Sequence, residues 1–127
     1  MKRDLYSGFA GVMALAPAVQ GAAIQGASVD VSQAVGVVFV LTTGAVAGAG
    51  DFGAVIEESA DGVSWGAAPA ARVKRPLVPA TLAQNAVYRI GYYGKLRYAR
   101  LSLTKAGGTS IAAGAVAVLR PLDRPVP

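Results

Sequence analysis

The chain has 127 residues, enough for one domain with a modest core. Hydrophobic residues make up 54% of it and charged residues only 15%, where an ordinary soluble domain carries about a quarter. Cys and His are both absent, which excludes disulfides, thiolate metal sites and the commonest general base, and with them most hydrolytic triads and zinc centres.

These exclusions point to a protein that is not an enzyme and needs no cofactor or metal. Much of the apolar content is Ala and Val, small side chains that each bury little area. Low charge and small core residues together favour a domain that hides part of its surface against partners. The net charge of +5 is unevenly placed. Residues 1–71 hold Lys2 and Arg3 against Asp4, Asp30, Asp51, Glu57, Glu58 and Asp61, a balance of −4. Residues 72–127 hold ten basic residues against Asp123 alone, a balance of +9. Such separation fits a nucleic-acid binder, a subunit whose two sides meet different partners, or a solvated basic face.

Lys2-Arg3 followed by F-A-G-V-M-A-L-A-P-A-V imitates a secretory leader. Asp4 breaks its basic start, and Pro17 and Gln20 interrupt an apolar run already too short to span a bilayer. Residues 1–28 are therefore expected to form an extended N-terminal arm lying on the sheet or on a neighbour. Gly8, Gly11, Pro17, Gly21 and Gly26 each cost helix stability.

A single β domain is expected over 29–127. In V-D-V-S-Q-A-V-G-V-V-F-V-L-T, residues 29–42, Val35, Val37, Phe39 and Leu41 alternate with Gly36, Val38, Val40 and Thr42. Both faces are apolar, so this strand is predicted to be central or covered on both sides. The following T-G-A-V-A-G-A-G-D reads as a long glycine-rich connection. It lacks the Gly-Lys-Ser/Thr ending and the helix that a phosphate loop requires. F-G-A-V-I-E-E-S-A-D-G-V-S-W reads as a hairpin reversing at Asp61-Gly62, with Trp65 over one edge of the core. Consecutive Glu57 and Glu58 point to opposite faces of a strand, which argues against a calcium site.

Pro69, Pro76 and Pro79 forbid regular helix or a central strand, so residues 67–86 are expected to be an extended loop carrying Arg72, Lys74 and Arg75. V-Y-R-I-G-Y-Y, L-R-Y-A-R-L-S-L-T and I-A-A-G-A-V-A-V-L-R follow as strands, and residues 121–127 as an extended tail. At least six strands and no convincing helix predict an all-β, antiparallel sandwich or jelly-roll-like fold, or a small barrel.

The most distinctive segment is R-I-G-Y-Y-G-K-L-R-Y-A-R-L-S-L, residues 89–103. In its second strand Ala99, Leu101 and Leu103 share the core face, with Arg97 at that face's rim. Tyr98, Arg100, Ser102 and Thr104 lie opposite. Tyr and Arg are the residue types enriched in interface hot spots. A cross-strand pair of Arg100 with Glu57 or Glu58 is the plainer alternative. Nucleic acid is disfavoured, because the residue order differs from the RNA-recognition signature and that fold's helices are missing.

Two resemblances rest on these motifs. S-A-D-G-V-S-W with L-R-Y-A-R-L-S-L is similar to the S-x-D-G-x-x-W and R-Y-x-R-L pattern of discoidin-type, galactose-binding-like jelly rolls, which implies a carbohydrate-binding alternative. G-A-A-I, E-E-S-A-D-G, Y-R-I-G-Y-Y-G-K-L-R-Y-A-R and L-R-P-L-D-R-P-V-P together resemble small structural proteins of tailed bacteriophages, from about residue 22 onward. Members of that group are read as head decoration or cement proteins. The resemblance implies a virion protein clamped on the capsid exterior, with the major capsid protein and neighbouring copies of itself as partners. A head-tail or tail component shares the same compositional signature. Tyr92, Tyr93, Lys95, Arg97, Arg100, Arg89, Arg72 and Arg75 are the residues expected at the subunit interface.

Overall fold

A computed structural model describes residues 8–121. Within them the chain forms strands β1 (Ala10–Gln20), β2 (Ile24–Gln25), β3 (Val29–Asp30), β4 (Ala34–Ala47), β5 (Asp51–Ser59), β6 (Gly66–Ala67), β7 (Val73–Lys74), β8 (Val87–Tyr92), β9 (Tyr98–Gly107) and β10 (Ser110–Pro121). One turn of 3₁₀ helix, Ala70–Arg72, leads into β7. Two antiparallel sheets face each other. Sheet A runs β1-β10-β4-β8-β7, and sheet B runs β2-β9-β5-β6, with β3 also on β9. This is the all-β sandwich that the alternating pattern predicts.

Period-2 alternation decides what each sheet buries. Sheet A sends Phe39, Leu41, Ile90, Ile111, Ala115, Ala117 and Leu119 inward, and sheet B answers with Phe52, Ile56, Ala99, Leu101 and Leu103. The alanines of β10 let the sheets approach, while Phe39 and Phe52 fill the space they leave. Ala99, Leu101 and Leu103 share the core face, as their spacing required.

Two segments differ in detail from the reading of the sequence. Residues 10–20, expected within an arm, are an eleven-residue edge strand hydrogen-bonded to β10. The strand departs from regular register between Met13 and Leu15 and again between Leu15 and Ala18; such irregularity suits an edge strand holding Pro17. The glycine-rich connection is shorter than expected, because β4 continues to Ala47 and only Gly48, Ala49 and Gly50 turn. Gly48 and Ala49 have positive φ (58° and 54°), and the Gly50 N–H donates to Ala47 O. The β-branched Thr43 and Val46 stay in the ladder because β10 supplies partners for them.

The proline-rich segment performs a specific task. Its Ala68 and Leu82 N–H groups donate to Ile56 O and Phe52 O, and the Arg75 guanidinium donates to Ala54 O between them. Three carbonyls on the outer edge of β5 are thereby satisfied, which closes an edge that would otherwise be open to foreign strands. Pro121 ends β10; the tail expected over 121–127 otherwise lies outside the described residues, as do Lys2 and Arg3 of the arm.

Candidate functional site

The tyrosine-arginine stretch does not form one surface. Sheet pleating and the loop at 93–97 send its side chains to four different places.

Tyr92 belongs to the core. It follows Tyr88 and Ile90 on the inward face of β8, is 3% exposed, and donates its hydroxyl to Glu58 Oε1 across the sandwich at 2.7 Å. Burial first, and the neighbouring carboxylate second, push its phenol well above the ordinary tyrosine range. Its ring lies so close to Gly94 that a side chain there would collide with it. Expected at the interface, Tyr92 instead fastens sheet A to sheet B. The alternation Tyr88-Ile90-Tyr92 against Arg89-Gly91-Tyr93 carries that signal in the sequence.

Arg100 lies on the outer face of sheet B, directly opposite Glu57. Its Nε donates to Glu57 Oε1 at 2.8 Å, an oxygen that also accepts from Ser102 Oγ at 2.7 Å. The guanidinium carbon sits 4.2 Å from the Trp65 ring centroid, within cation–π range. Burial alone would raise the Glu57 pKa, but hydrogen bonds from Ser102 and Arg100 and the arginine charge outweigh it and hold the carboxyl below its ordinary value. The cross-strand alternative is therefore what the structure contains for Arg100.

Arg97 stands at the rim and makes a forked contact with Asp30 Oδ2, at 3.2 Å from Nε and 3.0 Å from Nη2. Ser32 binds the other carboxylate oxygen through its hydroxyl and its N–H. Ser32 and then Arg97 lower the Asp30 pKa to about 2. Arg75 is committed to the β5 edge, and burial lowers its pKa. Arg72 is half-buried beside β7, where its carbonyl accepts the Tyr93 N–H. Lys95 is exposed in the loop between β8 and β9.

That leaves Arg89 and Tyr93, and both face the same feature: the outward side of sheet A. Strand register sets its residues abreast in two rows. Met13, Val116, Val40 and Arg89 form one; Gly11, Val118, Val38, Gly91 and Lys74 form the other. Among the described residues no further layer of chain covers the middle of this face. Met13 is 55% exposed, Val87 66% and Tyr93 59%. The sequence predicted β4 to be central or covered on both sides. It is central, yet no layer among the described residues covers its second apolar face, where Val38 and Val40 are half-buried.

Along one side of this face runs a cleft of about 660 Å³, in the size range of sites that hold small ligands or short peptides. Gly36, Val38, Gly91 and Val118 floor it, and Val87 and Arg89 flank it. Lys74, Pro76, Leu77 and Val78 form the opposite wall, with Leu77 80% exposed. Tyr93 lies over Gly91, whose missing side chain leaves room for the ring. No carboxylate lines the cleft.

Sequence reasoning missed Val38, Val40, Leu77, Val87 and Val116 as surface residues. Apolar residues on both faces of 35–42 were the available sign, but only topology says which face is enclosed. Among the described residues no three metal-ligating side chains cluster, and no helix is long and apolar enough to cross a membrane. No protein-family model matches the chain, and no curated protein matches it.

Proposed function

We propose that this protein is a structural subunit of a virion, a decoration or cement protein that sits on the exterior of a tailed-phage head and stabilises contacts between capsid subunits. One observation carries the docking half of the reading: the apolar outer face of sheet A, uncovered among the described residues and flanked by basic side chains that have no carboxylate partner among them. Monomeric proteins rarely leave a broad apolar patch rimmed by polar groups without a partner to cover it. Valines on a stiff sheet suit a permanent protein contact, because little side-chain entropy is lost when they are covered. The identity of the partner rests on the motif resemblance in residues 22–127, which points to the major capsid protein and neighbouring copies of this chain. Repetition over a symmetric shell multiplies a modest interface into substantial stabilisation.

The test is co-sedimentation with empty shells of the major capsid protein from the same genome. The wild-type chain is expected to pellet with the shells, and Val116→Glu, a change at an outward position of β10, is expected to remain in the supernatant while keeping its fold. A wild-type chain that stays in the supernatant at micromolar concentration sinks the proposal.

A further inference from the structure

The cleft holds a second kind of complementarity, in its backbone. The Thr43 N–H donates to Ala86 O, so at Ala86 the backbone of β8 points toward β4. In an antiparallel ladder this alternates, so Tyr88, Ile90 and Tyr92 also turn their N–H and C=O groups toward β4. Val87, Arg89, Gly91 and Tyr93 turn theirs the other way. The Tyr93 N–H confirms the parity by donating to Arg72 O, and Gly91 is paired with Lys74 of β7.

There β7 stops. Continuing its register would set Pro76 opposite Arg89, and proline has no N–H to give. A turn closed by the Val78 N–H on Arg75 O then leads the chain away. The outward backbone groups of Val87 and Arg89 are left without a strand partner among the described residues, and they border the cleft. The same proline-rich segment satisfies three carbonyls along the edge of β5 and leaves those of Val87 and Arg89 without such cover.

Charge selects the occupant. Every described carboxylate is already engaged: Asp30 by Ser32 and Arg97, Asp51 by Thr81, Glu57 by Arg100 and Ser102, Glu58 by Tyr92, and Asp61 by Ser59 and the N–H groups of Val63 and Ser64. Lys74 and Arg89, on opposite sides of the cleft, have no carboxylate partner among the described residues. Among the described residues, a second copy of the domain therefore offers no unengaged carboxylate.

We infer that the cleft receives an extended acidic segment of another protein, which adds to sheet A as a strand beside Val87–Ile90. Its backbone pairs with Val87 and Arg89, its outward carboxylates meet Lys74 and Arg89, and its alternate, apolar residues turn to the inward side of the sheet. This is strand addition at an exposed edge, in which main-chain bonds give affinity and alternate side chains give selectivity. The inference deepens the docking reading by naming what the partner inserts.

The probe is an acetylated, amidated peptide of alternating Glu and Val, seven residues long, titrated against the whole chain while amide exchange is followed by NMR. Saturable binding with slowed exchange at the Val87 and Arg89 amides is expected. Arg89→Glu and Lys74→Glu, both exposed and outside the core, should each weaken binding at least tenfold while the remaining amide spectrum is unchanged. A peptide methylated on alternate backbone nitrogens should not bind. Equal binding by the methylated peptide, or by one with Lys for Glu, overturns the inference, as does no binding at all. The same exchange measurement on shell-bound protein separates the two readings. Shell binding that leaves Val87 and Arg89 exchanging freely ends the strand inference and spares the virion reading; peptide binding without shell binding does the reverse.

Discussion

Exchanging Arg100 for Met, Glu57 for Gln, and both together should give a thermodynamic cycle with a clear coupling. The pair is neither a surface ion pair nor a dry one: the side chains retain 17% and 24% of their exposure. Fully exposed pairs contribute about 0.2–1 kcal/mol, whereas breaking a fully buried pair costs about 3–5 kcal/mol. Arg100→Met should therefore lose about 2 kcal/mol, including the contact with Trp65, which contributes about 0.5–1 kcal/mol. Glu57→Gln should lose somewhat less, because the amide oxygen can still accept from Ser102. The expected coupling is about 1 kcal/mol, read by urea denaturation, and the arginine variant should melt roughly 6–10 °C lower. The pH dependence follows from the depressed Glu57 pKa. The contribution is fully present above the unfolded-state value, about 4.3, and fades as pH falls through the lower folded-state value. A coupling below about 0.3 kcal/mol at neutral pH, or one unchanged in strong acid, would refute the assignment. Loss of shell binding by Arg100→Met without any loss of stability would return Arg100 to the interface.

Tyr92→Phe keeps the ring but leaves Glu58 without its donor, so stability should fall by about 1–2 kcal/mol in calorimetry with little change in the sheet signature of circular dichroism. Asp30 should titrate near pH 2 by NMR, and in Arg97→Ala its midpoint should rise only part of the way to an ordinary carboxylate, since Ser32 is the larger cause. Because that folded-state value is depressed, whatever stability the site confers persists through mildly acidic pH and is lost only as pH approaches 2. Gly26→Ala should be far worse than its size implies. The Gly26 N–H donates to Leu101 O, and an added Cβ would strike the Leu101 and Ala14 carbonyls between β2 and β3, where the chain runs along β9. A loss above about 2 kcal/mol, or failure to fold, is expected in an expression and unfolding assay.

The amino-acid sequence by itself determined the class of the fold and most of its inward faces. Alternation is a local property, so Phe39 with Leu41, and Ala99 with Leu101 and Leu103, declare their shared side wherever the strand lies. The turn at Asp61-Gly62 was equally legible, because the Asp61 carboxylate takes the N–H groups of Val63 and Ser64 and Gly62 accepts φ +79°. Only the tertiary structure decided which residues are left over. Tyr92 and Tyr93 are neighbours in sequence, yet one is sealed between sheets and the other faces the cleft. Arg100 and Arg89 look alike until Glu57 is found opposite the first and no acid beside the second. Val38 reads as core from its neighbours and proves to be half-buried on the outer face, because no layer among the described residues covers it. Local periodicity encodes direction relative to a sheet, whereas pairing and enclosure depend on which distant strands arrive alongside, and no short window of sequence holds that information.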